Sequence, residues 1–443
     1  MKKKCYRMRI VVMAAFLMFH YNVFAQESIE LLQSEGSEES IIRELSPTSW
    51  LVYSNPDFHD FSIVSDDSST VRIVRLPENL VKTVSDFKIH KNIVYLCGML
   101  ESKRPYWGYF DYLKEQPIFT YIQTSEVKQL KHLVVYGSVS EKLHVVMTAA
   151  GHDGRGKIVE AMGVPNNWYM YYVTPFVNQE ELYAFDDIAI SENYIAFTSY
   201  HTINSIIIDT LPFRSNPPSR LWYINKPSSL NNPAAYSLFN YRVLSYSTTG
   251  RFLVRNCEDD VFVTAAASTL TSPGMAFLVS GYDDTSHIAT VSVFADFRQP
   301  QLQDLCYNPI SKSTELVIST KLPAQSNFYT LIPGMAYASG VACGHLFTDC
   351  LAKSITRQSS TSMHFISTAY NTLNTSALNI IRYHSTYPEE CSNFISTATK
   401  LIENDGVFIR GEKIVYYDAV IPGKKPCIIK TTGTVPYCGN KNQ

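Results

Sequence analysis

The sequence lacks an excess of charge of either sign and has no long apolar run after its first 25 residues. Its 38 Lys and Arg residues nearly balance 40 Asp and Glu residues, which leaves a formal net charge of -2. A balanced surface has no field to attract nucleic acid or an anionic membrane, so neither is an expected partner. Because a spanning helix needs roughly 20 apolar residues, the mature chain is predicted to have no transmembrane segment.

The sequence also lacks the spacing motifs of common catalytic and metal sites. There is no Gly-x-Ser-x-Gly elbow, no His-Glu-x-x-His pair and no Cys-x-x-Cys. The run GHDGRGK at 151–157 fits a phosphate-binding P-loop as far as Lys157, but Ile158 stands where that motif needs Ser or Thr. Strand-like runs on both sides make this run a predicted hairpin loop. No cofactor and no metal ion is expected.

The first 25 residues have the three parts of an export signal. Basic residues at positions 2, 3, 4, 7 and 9 precede an apolar run at 10–19, and Val23-Phe24-Ala25 provides a cleavage site. The alternative is a membrane anchor, for which the apolar run is too short. We predict that residues 1–25 are removed and that the protein is periplasmic, on the cell surface or secreted.

The residues that are abundant favour β-structure. The chain has 29 Tyr and 23 Phe residues, together with many Val, Ile, Ser and Thr residues. Aromatic and β-branched side chains suit a pleated, half-buried surface. Long runs rich in Ala, Glu, Lys and Leu, which would indicate helices, are missing. The predicted fold class is all-β.

Strand-like runs come in groups of four, separated by turn-forming residues. One group occupies 84–89, 93–100, 106–112 and 118–123. Groups recur at intervals of roughly 45–60 residues, which is typical of four-stranded propeller blades. The segment at 86–95 is also similar to that at 187–196, with a looser parallel at 304–318.

These groups predict a β-propeller of about seven blades, with six or eight also open. Residues 26–45 are predicted to be an N-terminal lead, and residues 46–443 the propeller. Pairing of strands from 46–80 with strands from 399–438 would close the ring and remove the open sheet edges. The alternative is a pair of tandem β-sandwiches, although no linker rich in Pro, Gly or Ser divides the chain.

By this repeat pattern the chain resembles β-propeller proteins, including exported bacterial ones. The resemblance covers most of the mature chain but includes neither the Trp-Asp spacing of WD repeats nor the paired glycines of kelch repeats. It therefore implies a fold and transfers no functional residue, because propellers serve in binding, scaffolding and hydrolysis alike.

The first functional hypothesis is a non-catalytic binding or scaffold module for an unidentified protein or glycan. Aromatic side chains give rigid contact area at interfaces. The candidate positions are those of tryptophans in predicted outer strands and the tyrosines beside them, namely Trp107, Trp168, Trp222, Tyr106, Tyr169 and Tyr223. The alternative is that these side chains pack between blades.

The second hypothesis is a carbohydrate-active hydrolase or lyase. Asp86, Asp187 and Asp304 occupy equivalent points of the predicted innermost strands, which converge on the axis of a propeller. Glycoside hydrolysis uses two carboxyl groups about 5–10 Å apart. The other inner strands offer the side chains of Gln129, Arg242 and Lys353 near this point. The alternative is that each aspartate binds local backbone N–H groups.

The cysteines predict disulfides. Removal of Cys5 with the signal leaves an even number of cysteines in an oxidising compartment. Two pairs are close in sequence, Cys343 with Cys350 and Cys427 with Cys438. A two-residue turn at Thr432-Gly433 would place the second pair directly opposite each other in a hairpin, close enough to bridge. Cys97, in a strand expected to be buried, is the candidate free thiol.

The export signal leads to a test on the N-terminus of the mature protein. We expect the exported protein to begin at Gln26, as read by N-terminal sequencing or intact mass. Ala25→Arg should block cleavage because the peptidase needs a small residue there. Glu27→Asp, beyond the cleavage site, should leave processing unchanged. A mature N-terminus at any other residue would contradict the proposed signal.

Overall fold

The computed structural model describes the chain in segments. These are residues 25–30, 39–46, 49–55, 60–65, 71–77, 80–138, 142–164, 167–174, 183–201, 220–226 and 240–243, followed by the strands between residues 252 and 432 that are named below. Within these segments the structure is built from β-strands. In the same segments no helix is long and apolar enough to cross a membrane.

Three consecutive sheets carry most of the described side chains, and each is an antiparallel meander. Sheet C contains β6 (Val81–His90), β7 (Ile93–Leu100), β8 (Pro105–Asp111) and β9 (Thr120–Gln123). Sheet D contains β10 (Gln129–Ser138), β11 (Lys142–Ala150), β12 (Gly156–Val164) and β13 (Asn167–Val173). Sheet E contains β14 (Tyr183–Ile190), β15 (Tyr194–His201), β16 (Arg220–Asn225) and β17 (Asn240–Val243).

The next three sheets repeat the same order of strands. Sheet F contains β18 (Phe252–Glu258), β19 (Val261–Ser268), β20 (Gly274–Gly281) and β21 (His287–Ser292). Sheet G contains β22 (Gln301–Asn308), β23 (Ser313–Lys321), β24 (Ala324–Leu331) and β25 (Val341–Thr348). Sheet H contains β26 (Cys350–Arg357), β27 (Ser362–Tyr370), β28 (Ser376–His384) and β29 (Tyr387–Ile395).

The two remaining sheets combine both ends of the chain. In sheet A, β1 (Ala25–Glu30) pairs with β33 (Cys427–Thr432), which is followed by β32 (Lys413–Asp418) and β31 (Val407–Arg410). In sheet B, β30 (Glu403–Asn404) runs parallel to β2 (Glu39–Ser46), which is followed by β3 (Ser49–Asn55), β4 (Asp60–Ser65) and β5 (Val71–Arg75).

The terminal sheets differ from the sequence prediction in two respects. The described strands divide into eight sheets, so the count of about seven is not confirmed. The two chain ends share two sheets, A and B, instead of the single sheet that was predicted. The segment 26–45, predicted to be a lead, contains most of β1 and most of β2, because these strands also pair with β33 and β30 near the other end of the chain, which local sequence does not reveal.

The sheets follow one another through their first strands. β6 packs against β10, β10 against β14, β14 against β18, β18 against β22 and β22 against β26. β26 then contacts β31, and β31 contacts β2. Consecutive four-stranded meanders that stack with their first strands adjacent form a β-propeller, in which those first strands are the inner strands. The stacking does not match a pair of β-sandwiches, each of which packs two sheets over one core.

Large apolar side chains fill the space between neighbouring sheets. Tyr53 and Phe61 of sheet B join Phe87 of sheet C in one buried cluster, and the Phe61 and Phe87 rings lie edge to face with centroids 5.2 Å apart. Between sheets C and D, Trp107 meets Trp168 edge to face at 4.8 Å. A strand covered on both faces loses its polar alternation, which explains why β7 and β8 are apolar nearly throughout.

The sequence predicted a C-terminal hairpin in which Cys427 faces Cys438. In the structure β33 lies between β1 and β32, so both of its edges already have partners, and residue 427 is opposite Glu30 and Asp418. A further strand cannot pair with β33, and that hairpin register is therefore wrong. Cys438 lies outside the described residues. Cys343 and Cys350 lie on β25 and β26 in different sheets, and both disulfides stay predictions.

The packing between sheets leads to a test by core truncation. Phe87 is fully buried between sheets B and C. We expect Phe87→Ala to lower the free energy of unfolding by about 3–5 kcal/mol, because it leaves a cavity among aromatic rings. Ile118→Ala removes a side chain that is 77% exposed and should cost less than about 0.5 kcal/mol. Equal losses in urea unfolding of the two variants would contradict this packing.

Candidate functional site at the inner strands

A break in strand register places the candidate aspartates. The pairing of β6 with β7 shifts between Val84 and Asp86, and that of β14 with β15 shifts between Phe185 and Ile188. The pairing of β22 with β23 shifts in the same way directly before Asp304. A β-bulge bends the strand, raises its twist and re-aims the side chains at the break. All three aspartates therefore lie at the bulge of an inner strand, Asp86 and Asp304 directly after the break and Asp187 within it.

The Asp86 carboxylate joins sheet C to sheet D. Its Oδ1 accepts hydrogen bonds from the N–H of Phe87 at 2.8 Å and from Lys88 Nζ at 3.2 Å. Its Oδ2 accepts a hydrogen bond at 3.1 Å from the backbone N–H of Leu133, on β10 of the next sheet. One oxygen thus caps its own bulge, while the other binds the neighbouring inner strand.

The Asp187 carboxylate repeats this arrangement between sheets E and F. Its Oδ1 accepts from the N–H of Ile188 at 2.9 Å, and its Oδ2 accepts from the N–H of Val254 on β18 at 3.1 Å. Arg255 Nη1 also donates to Oδ2 at 2.5 Å. Asp86 and Asp187 are called the inter-sheet aspartates below.

The donors of these bonds, backbone N–H groups on β10 and β18, explain why a carboxylate stands at this point. β10 and β18 are the first strands of their sheets, so one edge of each has no neighbouring strand in its sheet. N–H groups on that edge need another acceptor, since an unsatisfied buried N–H costs about 1–3 kcal/mol. A carboxylate from the preceding sheet supplies it, and a charged acceptor makes a stronger hydrogen bond than a neutral one.

The surrounding charges keep both carboxyl groups ionised. Burial would raise the pKa of Asp86, but the Lys88 ammonium and His132, together with the backbone N–H, hold that pKa well below its usual range. Burial would also raise the pKa of Asp187. The Arg255 guanidinium outweighs burial, so the pKa of Asp187 is lowered as well. Neither group can therefore act as a general acid near neutral pH.

The enzyme hypothesis therefore loses two of its three candidate carboxylates. The oxygens of Asp86 and Asp187 bind backbone N–H groups and cations that hold sheets together, which is the backbone-binding alternative extended to the adjacent sheet. The backbone of Asp304 has the equivalent register on β22. Its side chain lies outside the described residues.

Near the bulges of the inner strands, the structure has polar side chains other than Gln129 and Arg242, which the sequence indicated for two of these strands. The register of β10 shifts between Leu130 and Leu133, so Lys131 and His132 lie at its bulge, and Gln129 does not. Arg242 is on β17, the outermost strand of sheet E. Sequence reasoning missed Lys131 and His132 because the bulge between Leu130 and Leu133 depends on the pairing with β11, which the pattern of β10 alone does not show.

The aromatic candidates are mostly buried. Trp107, Trp222, Tyr106 and Tyr223 are at most 1% exposed, and they lie on the third strands of their sheets rather than on outer strands. Packing between sheets, the alternative in the sequence analysis, accounts for them. Trp168 and Tyr169 lie on the outermost strand β13, and only Tyr169 is well exposed, at 58%.

The glycine-rich run at 151–157 forms the loop between β11 and β12. The N–H of Gly151 donates to the carbonyl of Arg155 at 2.7 Å, and Asp153 Oδ1 accepts from the N–H of Arg155 at 3.1 Å. Gly154 has a positive φ of 78°, the left-handed region that glycine adopts without strain. The run is a hairpin loop and not a phosphate-binding loop that opens a helix.

A metal site is also not found in the described part of the chain. There, no three His, Cys, Asp or Glu side chains are grouped so that they could hold a metal ion. The closest contact of this kind is between His144 Nδ1 and Glu160 Oε1, 2.7 Å apart between β11 and β12. The His144 ring stacks on that of Tyr136 at a centroid distance of 4.7 Å. This group lies on the side of sheet D that packs on sheet E.

Comparison with known proteins supports the fold. No family model and no curated protein sequence matches the chain. Among solved structures, the WD40 domain of SCAP from fission yeast is similar with a TM-score of 0.50 and 9% identity, over 92% of this chain and 98% of that chain. An oligogalacturonate lyase in complex with manganese has a TM-score of 0.43 and 10% identity, over 90% and 98%.

The likeness to the WD40 domain shows a shared propeller fold and nothing further, because identity at this level carries no functional residue. The likeness to the lyase is too distant to support an argument on fold or on activity. The chain is thus an all-β protein with a propeller fold, and its function has to be argued from its own side chains.

The inter-sheet aspartates lead to a test of stability against pH. Asp187→Asn should lower the free energy of unfolding by about 1–3 kcal/mol at pH 7, since the amide has one acceptor oxygen instead of two and no charge to pair with Arg255. Because the folded-state pKa is lowered, this contribution exists above the unfolded pKa near 3.9 and is lost as pH falls through the folded pKa. The variant should therefore lose less stability than wild type on acidification.

The matched control is Asp153→Asn in the exposed hairpin loop, where Asn is equally suited to a turn. Urea unfolding between about pH 2 and pH 7 measures both variants. If Asp187→Asn and Asp153→Asn gave the same profile, the structural role of Asp187 would be refuted.

Proposed function

We propose that this protein is an exported, non-catalytic binding or scaffold propeller for a protein or glycan ligand. Two parts of the proposal, export and the absence of catalysis, have different support. Export rests on the N-terminal signal in the sequence. The non-catalytic role rests on how the inner strands use their carboxylates.

The observation that carries the proposal is that both described inter-sheet aspartates are occupied. Asp86 is buried and Asp187 is largely buried, and each is ionised and hydrogen-bonded on both oxygens. A glycosidase needs one protonated carboxyl group and a second one free to attack or to activate water. The two carboxylates meet neither requirement, since each would have to leave the adjacent sheet before it reacted.

The exposed aromatic side chains at the outer strands support a binding role. Tyr169 on β13 is 58% exposed and Tyr121 on β9 is 38% exposed. The Tyr121 ring stacks on Phe119 with centroids 5.8 Å apart and planes within 12°, so it presents a fixed flat face. Tyrosine combines apolar area with a hydroxyl and is enriched at binding interfaces.

The proposal is tested by a binding screen and an activity screen on the mature protein. Glycan arrays and capture of exported proteins should identify a ligand, and Tyr169→Ser and Tyr121→Ser should weaken its binding at least about fivefold, ~1 kcal/mol. Glu192→Gln, an exposed change on the β14–β15 turn, is the control and should bind as wild type does.

The activity screen covers hydrolysis and elimination on neutral and acidic polysaccharides. We expect no turnover. Turnover by wild type that is abolished in Asp304→Asn, with folding intact, would contradict the non-catalytic role and support the enzyme hypothesis.

A further inference from the structure

His132 lies where three consecutive sheets meet. Its bulge on β10 is held by a hydrogen bond from its own N–H to Thr148 Oγ1 on β11, at 3.3 Å. Its Nδ1 is 3.8 Å from Asp86 Oδ2 on β6, an ion-pair distance that is too long for a direct hydrogen bond. The side chain is 35% exposed, so it can exchange protons with solvent.

Acidic groups face His132 from both neighbouring sheets. Asp86 approaches from sheet C, and Asp186 and Asp187 act on the imidazole from β14 of sheet E. The strand that carries His132 lies between β6 and β14, and the carboxylates on those two strands favour the protonated imidazole. A neutral imidazole would leave those carboxylates with fewer counter-charges.

The other charged groups around His132 already bind partners of their own. Lys88 binds Asp86, and Arg255 binds Asp187. Lys131, on the same bulge, donates its Nζ to the carbonyl of Phe185 at 2.6 Å. Cys97 of β7 stays a thiol because burial raises its pKa well above the usual value. Histidine is the side chain whose ordinary pKa places its change of charge between pH 5 and pH 8, so His132 is the candidate for a pH-dependent contact here.

We propose that His132 is a pH-sensitive contact between sheets C, D and E, closed when its imidazole is protonated and loosened when the imidazole becomes neutral. The contact acts at the inner strands, where the sheets are joined. A mildly acidic medium strengthens it, and an alkaline medium weakens it.

The direction of the pH effect on stability follows from the balance between burial and charge at His132. Burial would lower the pKa of His132, and the Asp86 carboxylate with the two β14 aspartates outweighs it, so the folded-state pKa lies above the ordinary 6.5. A raised folded-state pKa stabilises the protein fully below the unfolded pKa, and that contribution is lost as pH rises through the folded pKa. Each pH unit between the folded-state and the unfolded-state pKa of His132 corresponds to a tenfold change in the folding equilibrium.

The test compares unfolding of wild type, His132→Gln and His152→Gln between about pH 5 and pH 8.5. His152 is exposed in the hairpin loop, so its replacement controls for loss of a histidine. We expect wild type to lose stability relative to His132→Gln as pH rises, and His152→Gln to follow wild type. Parallel profiles for wild type and His132→Gln would overturn the proposal.

A second measurement does not depend on the stability of the glutamine variant. The imidazole of His132 is titrated by NMR in wild-type protein labelled at histidine. We expect its midpoint above 6.5, the ordinary value, and a lower midpoint in Asp86→Asn. A wild-type midpoint at or below the ordinary value would overturn the proposal.

Discussion

The fold depends on how the free edge of each inner strand is satisfied. A sheet of four strands exposes backbone N–H groups along its first strand, and in a propeller that edge faces the centre and the next sheet rather than another strand. Asp86 and Asp187 bind such N–H groups on β10 and β18 at 3.1 Å. The same carboxylates cap the bulge that aims them, so one residue shapes its strand and joins it to its neighbour.

The inter-sheet aspartates also explain why positively charged side chains lie at the inner strands. A buried carboxylate needs a cation, and each inter-sheet aspartate has one, Lys88 from its own strand or Arg255 from the next. His132 adds a third positive group whose charge depends on pH. Because these charged groups bind one another and the backbone, the inner strands hold the sheets together. Exposed aromatic side chains such as Tyr169 form the surface that we propose binds a ligand.

The sequence predicted individual strands whose pattern is set by neighbouring residues. β7 was predicted at 93–100 and lies there, because an apolar run between polar turns is unambiguous. The last strand of the same group was predicted at 118–123 and begins at Thr120. Pairings between the chain ends and the partners of the inter-sheet aspartates depend on contacts distant in sequence, which periodicity does not reveal.

Amide hydrogen exchange at Leu133 and Val254 tests the central claim most directly. Both N–H groups lie on an inner strand edge, and the carboxylate of the preceding sheet is their acceptor. Slow exchange at both is predicted in wild-type protein at neutral pH, with Asp86→Asn accelerating exchange at Leu133 and sparing Val254. Exchange at Leu133 in wild type as fast as in exposed turns, or equal acceleration at both amides, would contradict the account.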